Sequence, residues 1–98
     1  MPSDPKDPSR PLAGKALRKF ILEHIEAGLV TFSDPHALDR LKERKVTAEE
    51  AIGALRSGAL NYESTVYGRC RYRATKGKLD VYFTFQYGLI VITIIKRV

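Results

Sequence analysis

The sequence predicts an α+β domain, with N-terminal helices packed on one face of a C-terminal antiparallel β-meander. Three observations lead there. From Leu12 to Ser57 apolar side chains recur at the 3–4 residue spacing of a helix face. After Leu60 the apolar period drops to two, the spacing of a strand with one buried side. Gly68, Gly77 and Gly88 then punctuate the chain as short turns between strands. The 98 residues suffice for one core and not for two.

The elements follow in order. Residues 1–11 hold four prolines and little apolar content, so a disordered tail is expected there and a single domain over 12–98. Leu17, Phe20, Ile21, His24 and Ile25 make the buried stripe of a first helix, which Gly28 stops; Leu29–Phe32 reads as a short strand. Ser33-Asp34-Pro35 opens a second helix, with Ala37, Leu38 and Leu41 inward. Thr47 and Glu50 form a capping box for a third helix, with Ala48, Ala51, Ile52 and Leu55 inward and Gly58 as its stop. Strands are expected over Asn61–Tyr67, Arg69–Thr75, Leu79–Gln86 and Leu89–Ile95. The last is apolar on both faces and should be central and covered.

Alternation along the second of these strands sends Cys70, Tyr72 and Ala74 to the core and Arg69, Arg71 and Arg73 to the other face. On the next strand Leu79, Val81, Phe83 and Phe85 face inward and Asp80, Tyr82, Thr84 and Gln86 outward. One sheet face should therefore be open and carry arginine beside tyrosine.

The charge is uneven. The formal net charge is +6, and residues 61–98 contribute seven basic side chains against two acidic ones. A basic excess gathered on one structural half suits an anionic partner. Other chemistries lack their residues. One cysteine and two histidines make neither a disulfide framework nor a zinc site. Scattered acids supply no two-metal centre. No phosphate-binding glycine loop, secretory signal or membrane-length apolar run is present, and a cytoplasmic setting without cofactor or metal is expected.

Two constellations remain. His36, Arg40 and Arg44 stand at i, i+4 and i+8 on the second helix, a row that could handle phosphate or simply pair with Asp39 and Glu43. Arg69, Arg71 and Arg73, with Tyr82, Thr84 and Gln86 on the neighbouring strand and Lys96 at the end of the last, combine cations for phosphates with a ring for bases, or form an ordinary solvated sheet face. Metal-free RNA cleavage needs only a base, an acid and cations around the phosphate, roles open to Tyr, His, Arg and Lys.

His36-Ala37-Leu38-Asp39-Arg40-Leu41-Lys42-Glu43-Arg44, the capped segment Val46-Thr47-Ala48-Glu49-Glu50-Ala51 and the closing run Leu89–Lys96 resemble a family of small bacterial toxin-like proteins with an H-A-x-x-R-x-x-x-R helix. The layout, with a helix before Ala27-Gly28-Leu29-Val30, is similar to the MqsR and RelE-type messenger-RNA-cleaving toxins. The resemblance covers Leu17 to Lys96. It implies a RelE-like fold and a metal-independent endoribonuclease that attacks through the RNA 2′-hydroxyl. Messenger RNA, a cognate antitoxin and the ribosome are the partners it implies. Tyr82 and Lys96 match positions given functional roles in those toxins. A Lys and a Gln of the toxins' earlier strands are unmatched, and Glu63 and the arginine stripe stand near those places. The combined expectation places Tyr82, His36, Arg73 and Lys96 in the catalytic centre and Arg40, Arg44, Arg69, Arg71 and Gln86 on the RNA. The alternatives are a non-catalytic basic module for RNA or DNA and a protein-interaction domain that accepts a strand at the sheet edge.

Overall fold

Residues 11–33 and 35–97 are described by the structure, a computed structural model. The expected tail over residues 1–11 falls outside them except for its last residue, as does the capping role considered for Asp34.

The amphipathic stripe of the first segment folds as α1 (Gly14–Glu26), burying Leu17, Phe20, Ile21 and His24. β1 (Val30–Phe32) follows, then α2 (His36–Arg44) and α3 (Ala48–Ser57). Four strands complete the order: β2 (Ala59–Val66), β3 (Arg69–Lys76), β4 (Leu79–Phe85) and β5 (Leu89–Lys96). The sheet runs β1-β5-β4-β3-β2. β2 to β5 are the expected antiparallel meander, but β1 joins β5 in parallel, pairing Val30 with Leu89 and Phe32 with Val91. The architecture is thus α+β with a five-stranded mixed sheet, not a pure meander. Alternation reports which face a strand buries but not the direction of a three-residue edge strand.

All three helices contribute to one core with a single sheet face. Leu17 and Ile21, Ala37, and Ala51, Ala54 and Leu55 meet Cys70, Tyr72, Ala74, Val81, Phe83, Leu89, Val91 and Ile94. Phe83 is fully buried and stacks on Tyr72 at 5.4 Å between ring centroids. Burying a side chain of that size contributes ~2–3 kcal/mol from apolar transfer. At one end of the core, Phe20, His24 and Phe85 form a ring cluster, and His24 Nδ1 lies 2.8 Å from the Phe20 carbonyl oxygen.

The capping box forms as written: the Glu50 amide donates to Thr47 Oγ1 at 3.1 Å and the Thr47 amide to Glu50 Oε1 at 3.3 Å. At the other end of α3, Arg18 of α1 donates to the Leu55 carbonyl at 2.7 Å and to the Gly58 carbonyl, satisfying acceptors the helix leaves open. Gly58 is extended (φ −73°, ψ 164°) and not a left-handed stop. Glycine is required there for space, since a Cβ would lie 2.6 Å from the Ala54 oxygen and 2.7 Å from the Thr75 oxygen. Ala51 and Leu55 face inward as expected, but Ala54, not Ala48, joins the core of α3, and Leu38 of α2 is exposed. β5 is central but covered on one side only. Leu89, Val91 and Ile94 are buried against the helices, while Ile90, Ile92 and Thr93 are half-buried and Ile95 is exposed. No helix among the described residues is long and apolar enough to cross a membrane.

Candidate functional site

The open sheet face is built by strand alternation. On β3 the pattern is clean: Cys70, Tyr72 and Ala74 are buried, and Arg69, Arg71 and Arg73 are half-exposed on the far side. Antiparallel registers align these with their neighbours. Asn61, Arg73, Tyr82 and Thr93 form one cross-strand row, and Ser64, Arg71, Thr84 and Ile90 the next. Directly opposed side chains on one face stand close enough to interact.

Between those rows, β2 carries an irregularity between Tyr62 and Ser64 that leaves Glu63 without a register partner. The extra residue re-aims its side chain onto the open face. Glu63 Oε1 lies 3.0 Å from Arg73 Nε. The pair is within reach for charge attraction, yet its angle misses hydrogen-bond geometry, and Arg73 Nε is a buried donor without a hydrogen-bond acceptor. Contact with the Tyr82 hydroxyl is the largest influence on Arg73 and, with the charges of Glu63 and Asp80, holds its guanidinium above the ordinary range against the opposing effect of burial. Arg73 therefore joins a carboxylate on one neighbouring strand to a phenol on the other.

A second pair supports this centre from below. Asp80 is buried, accepts from Thr75 Oγ1 at 2.7 Å and is paired with Arg97. Burial alone would raise its pKa. The hydrogen bonds from Arg97 and Thr75, with the positive charges of Arg97 and Arg73, outweigh that and hold the carboxyl below the usual range. Asp80 is thus an ionised, fully engaged group and is not available as a proton carrier.

Above the centre, Val66, Tyr67, Arg69, Arg71, Thr84 and Gln86 line a shallow cleft of about 270 Å³. Among the described residues, no carboxylate borders it. Arg69 Nη1 reaches the Phe85 carbonyl at 3.4 Å, and Thr84 Oγ1 donates to the Cys70 carbonyl at 2.8 Å. Neither Arg69 nor Arg71 is in an ion pair among the described residues. The expected grouping of Arg69, Arg71 and Gln86 therefore holds in space, although Gln86 lies one residue beyond the end of β4.

Four expected members do not join this group. Lys96 is the last residue of β5, and its register through Leu79 to Lys76 puts it on the helix face. There it lines a cleft with Thr47, Glu49, Glu50, Gly53, Lys76 and Lys78, across the sheet from Arg73. A bulge in the β4–β5 ladder between Tyr82 and Phe83 reverses the parity of β5 beyond it, which alternation counted from Leu89 misses. His36, Arg40 and Arg44 are exposed on α2, which belongs to the helix layer. Arg40 donates to Glu43 at 2.6 Å. The row is real, but the sheet separates it from Tyr82. Cys70 is buried and free, a structural thiol.

Sequence reasoning noted Glu63 only as a departure from the toxin pattern, because a bulge leaves no trace in alternation. Tyr67, which the sequence reads as the end of a strand, and Tyr87, beside the turn glycine Gly88, are both exposed and have no role in the sequence reading. Among the described residues, no cluster of three or more His, Cys, Asp or Glu side chains could hold a metal ion. No family model matches the chain, and neither does any curated protein or solved structure.

Proposed function

We propose that the chain is a RelE-like toxin of the MqsR type, a metal-independent endoribonuclease whose active centre is the Glu63–Arg73–Tyr82 cluster of the open sheet face. One observation carries the reading: a carboxylate, a guanidinium and a phenol from three successive strands meet on an otherwise basic surface. In the proposed reaction Glu63 accepts the proton of an RNA 2′-hydroxyl. The 2′-oxygen attacks phosphorus, Arg73 and Arg71 hold the non-bridging oxygens, and Tyr82 donates a proton to the departing 5′-oxygen. The products are a 2′,3′-cyclic phosphate and a 5′-hydroxyl end. His36 and Lys96 lie on the other side of the sheet and take no part in this centre. A cognate antitoxin is the expected protein partner, and messenger RNA, free or on the ribosome, the substrate.

The test is incubation of the purified chain with mixed messenger RNA in chelator, with the product ends identified. Cyclic phosphate ends that disappear in Tyr82→Phe and Glu63→Gln support the proposal. Intact RNA with the wild-type chain, at protein concentrations that bind it, overturns it. A second reading, a non-catalytic RNA-binding module, is favoured by the cleft at Arg69 and Arg71, which no carboxylate among the described residues borders and which could bind RNA whether or not the cluster below it cleaves.

A further inference from the structure

We infer that the end of the sheet carrying Tyr67 and Tyr87 is a base-stacking site, which takes unpaired bases of single-stranded RNA while Arg69 and Arg71 hold the adjoining phosphates. The inference rests on reading the open face as an RNA surface and adds the contacts that would grip the strand.

Backbone conformation supplies the first argument. Tyr67 and Tyr87 are held at φ 51° and 54°, the left-handed region that a bulky side chain enters only at a cost. Tyr67 and Gly68 are the two residues between the paired Val66 and Arg69, and both have positive φ. Asn-Gly or Gly-Gly is the favoured pair for such a turn. The β3–β4 turn, at the opposite end of the sheet, puts Gly77 in the left-handed position. At the Gly77 end glycine takes the left-handed position, whereas at the other end tyrosine takes it beside Gly68 and Gly88.

Exposure supplies the second. Tyr67 and Tyr87 are 99% and 98% exposed, so neither ring contributes packing to offset the strain. A fully solvated ring held in a strained turn gives the fold nothing. The β2–β3 and β4–β5 turns lie at the same end of the sheet, two interstrand spacings apart, or roughly 10 Å.

Charge supplies the third and selects the ligand. Tyr67 lines the same cleft as Arg69 and Arg71, neither of which is in an ion pair among the described residues. Aromatic faces beside cations, without a carboxylate, fit alternating base and phosphate. An acidic peptide would use the arginines but has no need of two solvated rings.

The experiment measures binding of a single-stranded RNA carrying 2′-O-methyl groups, which cannot be cut through its 2′-oxygen, to the full chain. Tyr67→Ala and Tyr87→Ala are each expected to weaken it about tenfold. Tyr67→Phe keeps the ring and should bind like wild type. Tyr67→Asn suits the turn and should raise Tm while lowering affinity. An oligonucleotide of equal charge with abasic sites loses both stacking contacts and should bind wild type more weakly than the ordinary one binds Tyr67→Ala. Equal affinity for ordinary and abasic strands, or unchanged affinity in both alanine variants, overturns the inference, and leaves the surface to phosphate contacts or a protein partner. Ring-dependent binding by a chain that never cleaves RNA supports the inference while removing the nuclease reading. Cleavage that persists with unchanged affinity in both alanine variants does the reverse.

Discussion

Arg73 and Tyr82 are cross-strand partners at the centre of the open face, and Glu63 approaches the same guanidinium from the opposite strand. The arginine is thus shared between a carboxylate and a phenolic hydroxyl. Removing the carboxylate and removing the hydroxyl should have different consequences.

Glu63→Gln eliminates the proposed base and also releases the charge on Arg73. Cleavage should fall by about 10²- to 10⁴-fold, the usual contribution of a positioned proton carrier. RNA affinity should hold or rise. Single-turnover rates measured beside equilibrium binding separate the two effects, and a parallel loss of rate and affinity would count against Glu63 as the base.

Arg71 and Arg73 should differ in their electrostatics. Arg71→Ala removes a cation unpaired among the described residues and should lower the slope of log affinity against log salt by about 1. Arg73→Ala removes a charge already opposed by Glu63 and should change that slope less. Titrations at several salt concentrations compare them directly.

Asp80 ties stability to pH. Its carboxyl in the folded chain titrates below its unfolded value, so the stability it contributes is complete above the unfolded value, near pH 4. That contribution is lost as pH falls through the folded value. Unfolding of the wild type should therefore become easier in acid. Asp80→Asn should flatten that dependence and cost about 1–3 kcal/mol at neutral pH through its lost charged hydrogen bonds. Urea unfolding from pH 7 to pH 3 tests both.

Two backbone features predict stability changes remote from the open face. Gly58→Ala drives a methyl group against two main-chain oxygens that cannot rotate away, at a cost of about 1–3 kcal/mol. Thr47→Ala opens the capping box and should cost about 1 kcal/mol. Thermal unfolding reads each, with RNA binding expected to survive both.

The strand faces were legible in the sequence because one choice of buried side fixes every second residue. Arg69, Arg71 and Arg73 could be assigned to the open face from Cys70, Tyr72 and Ala74 alone. The helix stripe of Leu17, Phe20, Ile21 and His24 and the Thr47–Glu50 cap were equally plain, being local patterns. Lys96 was placed by resemblance, and a single extra residue in β5 turns it to the helix face; the role of Glu63 was hidden by another in β2. Bulges are set by tertiary pairing and reverse the parity that sequence reading depends on. His36 was grouped with Tyr82 by chemistry alone, since nothing local says on which side of the sheet a helix will lie.

β1 has one neighbour in the sheet, and that neighbour is β5. Ser33, just after β1, bonds the Ile92 carbonyl across 59 residues of sequence. Val30 and Phe32 therefore leave the ribosome long before the surface they pack against has been made. α2 waits with them, since β5 is the strand it contacts most. The early half of this chain can form helices as it is synthesised, but it has no sheet to settle on until the meander is complete. Folding should be slow for so small a domain, because its most distant contacts close last. Deleting β5 should leave a chain without a core rather than a shorter domain.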